Sequence, residues 1–351
     1  MKTKILTTLT VVIAMSLLAA CAGQATEGSP DGSGQASVKL ILGAYTTPRE
    51  AYGELIPLFA AQWKEAHNQE VTFEESYLGS GAQSRAIVEG FEADIASLSL
   101  DGDVTKIADA GLITHDWHIP PYDGVVSTSV VAFAVRKGNP QNIQDWADLA
   151  KPGLEILTPD PKTSGGARWN ILALYGAALR GQVDGIPAND ETAATAFLTS
   201  VLKNVTAFDK GARESITNFE TGNGDVAISY ENEVLVGQQS GQDYELIIPK
   251  STILIENPVA VVDTYVDKHG TREAAEGFVQ FLFTKEAQEI FAKHGLRSLD
   301  PAVAEATKAQ YPPVSDLFTI GEQFAGWGTA GPKYFGDTGI YTQAITQVQG
   351  Q

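Results

Sequence analysis

The stretch Pro159-Asp160-Pro161-Lys162-Thr163-Ser164-Gly165-Gly166-Ala167-Arg168-Trp169-Asn170 decides how the rest of the chain is read. Ahead of it, Leu154-Glu155-Ile156-Leu157 reads as a strand. Behind it, Trp169 to Leu179 carries Ile171, Leu172, Leu174, Tyr175 and Leu179 in helical order. Small residues at the join let several backbone N–H groups face one point. The first turn of a helix leaves its N–H groups without intrahelical acceptors and carries the positive end of the dipole, so such a join is a ready anion site. One such turn needs only flexible residues and says little alone. The chain repeats the device, with Thr46-Thr47, Ser80-Gly81 and Gly211-Ala212 each placed between a strand-like and a helical run.

Working outward, Val38 to Tyr45 reads as a buried strand, and Thr47-Pro48-Arg49-Glu50 opens a helix with Leu55, Phe59 and Trp63 on one face. Val71 to Tyr77 alternates as a strand and leads through Gly79-Ser80-Gly81 to a helix beginning near Ala82. Ala93 to Leu100 reads as a third strand, followed by a short helix from Val104 to Ala110. The β-branched run Val125 to Val135 is long enough to cross between two lobes. A short helix begins at Trp146 to Leu149, and helices are expected over Thr192–Leu202 and Glu214–Glu220. Strands are expected at Val205–Phe208, Asp225–Asn232, Tyr244–Pro249 and Val259–Val262. Arg272 to His294 reads as one amphipathic helix. The tail is helical over Phe318–Phe324 and glycine-broken after Gly326.

Strand–helix alternation predicts an α/β fold with a largely parallel sheet, whose ligands sit beyond the carboxyl ends of the strands. Two of the small-residue turns precede the crossing strand and two follow it. A cleft between two lobes, lined by helix N-termini from both, would close over a small anion.

The 351 residues hold 43 Asp plus Glu against 24 Lys plus Arg, a net charge of −19 that argues against nucleic-acid binding. Lys2, Lys4 and the apolar run from Val11 to Ala20 read as a signal peptide over residues 1–20. Leu18-Ala19-Ala20-Cys21 resembles a bacterial lipobox, in which the cysteine thiol takes a diacylglycerol. Cys21 is the single cysteine, so no disulfide within the chain competes for it. Residues 21–37 read as a flexible tether, and no later apolar run is long enough to span a bilayer. The expectation is a lipid-anchored, extracytoplasmic protein, monomeric, without cofactor or metal.

The blocks Tyr45-Thr-Thr-Pro-Arg-Glu50, Gly79-Ser-Gly81, Phe133 to Pro140, Thr158 to Asn170, Gly211-Ala-Arg213, Glu231-Asn-Glu233 and Gly326-Trp327 carry a family resemblance. The chain resembles the periplasmic sulfate- and thiosulfate-binding proteins of ABC importers over roughly residues 38–345. The resemblance implies a two-lobed periplasmic-binding-protein type II fold with the ligand in the inter-lobe cleft. The expected divisions are lobe 1 over 38–122 and 252–311, lobe 2 over 123–251, and a C-terminal segment, 312–351, packing on lobe 2. Carried over residue by residue, Ser80, Gly165, Gly166 and Ala212 would give backbone N–H groups and Ser164 its hydroxyl. Thr46 stands where the family has an aspartate used through its N–H, and Tyr230 stands in place of an indole donor. The partners implied are sulfate or thiosulfate and an ABC permease with a cytoplasmic ATPase. Nothing in the chain itself matches the phosphate loop of an ATPase.

A cleft made only of donors holds a dehydrated dianion and rejects a protonated oxyanion, whose own O–H would find no acceptor. Tyr230 is the exception, because a phenol also accepts. Rival readings are a molybdate or tungstate binder of the same fold, a ferric-ion binder using Tyr230, Glu231 and Glu233, and a hydrolase centred on Ser164. For the last, none of His67, His115, His118, His269 and His294 sits at a strand end beside these small-residue turns, and Gly-x-Ser-x-Gly is absent. Arg168 and Arg213 are expected to support their turns or form surface ion pairs rather than touch the anion.

Overall fold

The computed structural model describes residues 37–350; the stretch expected to be a signal peptide, Cys21 and the expected tether up to residue 36 lie outside the described residues. The chain runs β1 (Ser37–Tyr45), α1 (Arg49–His67), β2 (Glu70–Leu78), α2 (Ser80–Val88), β3 (Ile95–Ser97), α3 (Asp101–Asp109) and the long β4 (Val125–Arg136). There follow β5 (Ile156–Pro159), α4 (Gly165–Leu179), α5 (Glu191–Leu202), β6 (Val205–Asp209), α6 (Ala212–Glu220), β7 (Val226–Tyr230), α7 (Glu231–Gln239) and β8 (Tyr244–Ile247). The last part comprises β9 (Ser251–Val261), α8 (Asp263–His269), α9 (Arg272–Leu282), α10 (Lys285–Lys293), α11 (Pro301–Thr307), β10 (Asp316–Phe318), α12 (Ile320–Phe324), α13 (Trp327–Phe335) and α14 (Ile340–Gln349).

The strand order is β2-β1-β3-β9-β4-β7-β5-β6, with β10 on β9 and β8 on β4. Two strands belong to both lobes. The first part of β4 pairs with β9, and its second part, Val131–Arg136, pairs with β7 and β8. The far end of β9, Val259–Val261, pairs with β3. Continuous backbone through β4 and β9 therefore joins a lobe built on β1–β3 to one built on β5–β7.

The expected parallel sheet is mixed. β1 is parallel to β2 and β3, β5 to β6 and β7, and β10 to β9, but β4 runs antiparallel to β7, β8 and β9, and β9 antiparallel to β3. A strand returning between lobes reverses direction, which the βα alternation alone did not show.

Each lobe is packed on both sheet faces. In the first, Leu55, Phe59 and Trp63 of α1 meet Phe278, Phe281 and Leu282 of α9, while Ile87, Val104, Ile107 and Trp117 cover the other face. In the second, Trp169, Leu172 and Tyr175 of α4 share a core with Leu198 and Leu202 of α5 and with Phe318, Phe324, Trp327 and Tyr334 of the C-terminal segment. Trp169 and Trp327 meet edge to face with ring centroids 4.7 Å apart. Helix α4 lies between the sheet and these other helices, so it is buried nearly all round, as its high apolar content requires.

Four local expectations are corrected. The run Asp225–Asn232 ends as a strand at Tyr230, and Glu231 opens α7 with Glu231 and Glu233 in its first turn. Acidic residues there complement the positive helix end. Arg272–His294 is two helices, split where Thr284 accepts a hydrogen bond from the Ala287 N–H and so caps α10. Val259–Val262 is only the end of the longer β9. Phe318 closes β10 rather than opening a helix, and the glycine-broken tail is helical in α13 and α14.

Candidate functional site

Every candidate residue lies at the carboxyl end of a strand in the central sheet. Thr46 follows β1, Ser80 follows β2, Ser164 to Gly166 follow β5, Ala212 follows β6, and Tyr230 closes β7. Ser80, Gly165 and Ala212 are the first residues of α2, α4 and α6, so their N–H groups have no intrahelical acceptor. All seven are buried. Ser164 caps α4 by accepting a hydrogen bond from the Ala167 N–H at 3.3 Å, which commits a lone pair and leaves the hydroxyl hydrogen to donate elsewhere.

The glycines mark how closely the two lobes approach. A Cβ on Gly165 would lie 2.6 Å from Ser99 Oγ, and one on Gly166 would lie 2.7 Å from Cε2 of Tyr230 and 3.5 Å from Cβ of Ala212. A Cβ on Gly211 would sit 3.4 Å from Thr46 Oγ1. These contacts bring three of the small-residue turns around one buried spot, and Ser99, whose N–H bonds Ser80 Oγ, brings in the fourth. Hydrogen bonds across the cleft close it further: the Ala82 N–H donates to the Thr163 carbonyl at 3.0 Å, and the Trp169 indole N–H to the Ser99 carbonyl at 2.8 Å.

The side chains in this spot are uncharged. Tyr230 Oη and Ser99 Oγ are 2.6 Å apart, and the Ser99 N–H donates to Ser80 Oγ at 3.0 Å. The Ser80 hydroxyl in turn donates to Asp103 Oδ2 at 2.7 Å, so Ser80 keeps only its N–H for a ligand. Burial raises the Tyr230 phenol far above its ordinary pKa, Ser99 offsetting this only in part, so it stays protonated.

The guanidinium that follows Ala212 is already engaged. Arg213, second residue of α6, donates from Nε to Glu233 Oε2 at 2.6 Å and from Nη2 to Glu50 Oε2 at 2.8 Å. Burial works against its charge, but Glu233 and Glu50 raise its pKa well above the usual arginine value. Burial also pushes Glu233 up, with Arg213 opposing. Arg168 donates to the Pro161 carbonyl at 3.0 Å and lies over the Phe335 ring.

The residues of the rival readings go to separate partners. Glu231 is paired with Arg297, Glu233 with Arg213 and Tyr230 with Ser99, so the three do not converge as metal ligands. Among the described residues the histidine rings bond elsewhere than Ser164: His115 to Asp263, His118 to Asp101, His269 to Asp94, His294 to Glu54 and His67 to the Trp63 carbonyl.

The sequence profile described as bacterial extracellular solute-binding protein matches residues 40–297. The chain belongs to this family. Among the relatives of this solute-binding protein, a sulfate-binding protein of Synechococcus elongatus is 45% identical over 336 residues, covering 95% of this chain and 93% of its own. A thiosulfate-binding protein of Escherichia coli is 38% identical, covering 83% of this chain and 86% of its own. The solved structure of the sulfate-binding protein SubI from Mycobacterium tuberculosis superposes with a TM-score of 0.77 at 36% identity, covering 86% of this chain and 99% of that one. The fold is the two-lobed α/β arrangement of periplasmic binding proteins.

Sequence reasoning missed Ser99 and the tie from Glu50 through Arg213 to Glu233. Ser99 was hidden because the run Ala93–Leu100 reads as one strand, whereas β3 stops at Ser97. A small polar residue just past a parallel strand, two before the Asp101-Gly102 that opens α3, is the signal that marks it.

Proposed function

We propose that this solute-binding protein captures sulfate, or thiosulfate, between its lobes and delivers it to an ABC permease. The donors assigned are the N–H groups of Thr46, Ser80, Gly165, Gly166 and Ala212 and the hydroxyls of Ser164 and Tyr230. The observation that carries the reading is the convergence of helix starts from both lobes on one buried spot, with Arg213, the residue after Ala212, held by two carboxylates. Hydrogen bonds to a charged group contribute roughly 1.5–3 kcal/mol each, so seven such donors can replace the hydration of a dianion without a counter-charge. Donors from both lobes meet the anion only in the closed form, so binding shifts the population toward closure. The names of the relatives support the same ligand class.

We further assign Cys21 as the lipidated residue that keeps the protein at the membrane surface beside its permease, from the lipobox-like Leu18-Ala19-Ala20-Cys21. Membrane fractionation of wild type and Cys21→Ala tests it; a variant that stays in the membrane fraction would refute it.

The ligand test is thermal unfolding of anion-stripped protein with sulfate, thiosulfate, molybdate and ferric citrate. An anion at a hundred times its dissociation constant adds about 2.7 kcal/mol. Stabilisation by sulfate and thiosulfate is expected. A response to molybdate alone would reassign the ligand, and no response to any would sink the transport reading.

A further inference from the structure

We propose that the Ser99–Tyr230 hydroxyl pair lets this cleft hold a tetrahedral oxyanion carrying one acid proton, of the hydrogen phosphate class, as well as a fully ionised dianion. The inference rests on the anion-binding reading above and deepens it. Both oxygens are 1% exposed or less at the residue level and lie 2.6 Å apart, one from each lobe. Ser99 is fixed in place by its backbone, through the Ser80 hydroxyl on one side and the Trp169 indole on the other. Its oxygen abuts Gly165, at the first turn of α4, where the assigned donors gather.

The pair holds two hydrogens, and only one is used between its members. With Ser99 donating to Tyr230, the phenol hydrogen points at the ligand and the pair acts as one more donor. With Tyr230 donating to Ser99, the phenol oxygen has a lone pair free for the ligand's own O–H, and the Ser99 hydrogen turns to a neighbouring ligand oxygen. The change needs rotation about two C–O bonds and no movement of heavy atoms. This pair differs from the other groups in being two hydroxyls bonded to each other across the lobes. Backbone N–H groups only donate, Ser80 Oγ is committed to Asp103 and the Ser99 N–H, and Ser164 Oγ has one lone pair taken by the Ala167 N–H. An indole at position 230 would give a donor alone. Removing the partner serine would take away the acceptor that lets the phenol turn its lone pair to the ligand, leaving the phenol hydrogen to donate to the anion.

The experiment is calorimetric titration of anion-stripped protein with sulfate and, separately, inorganic phosphate, for wild type, Ser99→Ala and Tyr230→Trp. Wild type is expected to bind both. In each variant the ratio of phosphate to sulfate affinity is expected to fall by roughly tenfold or more, the cost of burying a ligand O–H without an acceptor. Sulfate binding without phosphate binding in wild type, or an unchanged ratio in both variants, overturns the inference and leaves the sulfate reading standing. Binding of neither anion overturns the sulfate reading itself and this inference with it.

Discussion

Arg213 Nη2 donates to Glu50 Oε2 across the cleft at 2.8 Å, while Arg213 Nε holds Glu233 on its own side at 2.6 Å. Glu50 lies in the first turn of α1 and Arg213 in the first turn of α6, so the ion pair ties together two of the helix starts that face the proposed anion site. It spans the lobes, and opening them would pull it apart.

Glu50→Ala is therefore expected to weaken anion binding by roughly fivefold, equal to about 1 kcal/mol for a partly exposed pair, with little change in unfolding stability. The lost pairing belongs to the closed form alone, so scattering should show a more open unliganded protein. Because salt screens the interaction, the difference between wild type and variant should shrink at high ionic strength. Equal affinities at low salt would show that the pair does not favour closure.

Gly79→Ala should act on closure by a different route. A Cβ there would lie 2.6 Å from the Lys210 carbonyl oxygen and 2.7 Å from that of Thr163, both backbone atoms of the opposite lobe. Gly79 has φ −56° and ψ 137°, which alanine adopts without strain, so the variant should fold. The clash exists only when the lobes meet. At a cost of about 1–3 kcal/mol for overpacking, affinity should drop by about fivefold to more than a hundredfold while the open form keeps its stability. A titration matching wild type would show that the lobes close without this approach.

These positions also show what the chain made legible. The turn Ser164-Gly165-Gly166 announced itself because helix starts with small residues have a local signature, and repetition in four places pointed to a shared site. Contacts between lobes have no such signature. Glu50 and Arg213 are 163 positions apart, and each alone reads as an ordinary charge at a helix start. Strand β9 was half hidden because Glu256-Asn257-Pro258 interrupts its apolar pattern, yet Pro258 takes its place opposite Val125 and accepts from the Leu98 N–H. The split between α9 and α10 carries neither glycine nor proline; only the cap at Thr284 marks it.

Asp263 gives a pH prediction. Its carboxylate accepts from the Thr114 N–H at 2.6 Å, the His115 ring at 2.7 Å and Arg272 Nη1 at 2.8 Å. Burial would raise its pKa, but these bonds outweigh burial and hold it well below the ordinary aspartate value. A carboxyl group whose folded pKa is depressed binds fewer protons folded than unfolded, so it adds stability above the unfolded pKa and loses it as pH falls through the folded one. Wild type should therefore exceed Asp263→Asn in urea stability near neutral pH, and the gap should narrow from about pH 5 downward. A gap that stays constant with pH would mean the carboxylate's charge is not what the site uses.

Beside the crossing strand β4, Arg297 grips Glu231 with two bonds, Nε to Oε2 at 2.7 Å and Nη2 to Oε1 at 2.9 Å. The backbone of Arg297 bridges Thr128 on β4, and its guanidinium lies over the Tyr311 ring. Glu231 is fully buried, and burial raises its pKa against the pull of Arg297. Removing the arginine strands a carboxylate that has no water to turn to. Arg297→Met is expected to cost about 3–5 kcal/mol in urea unfolding, as for other broken buried pairs. The double variant Glu231→Gln, Arg297→Met removes the stranded charge and should recover much of that loss, because the penalty lies in the unpaired ion rather than in the missing attraction. If the double variant is as unstable as Arg297→Met, the loss comes from packing of the guanidinium against Tyr311, and the ion pair is incidental to stability.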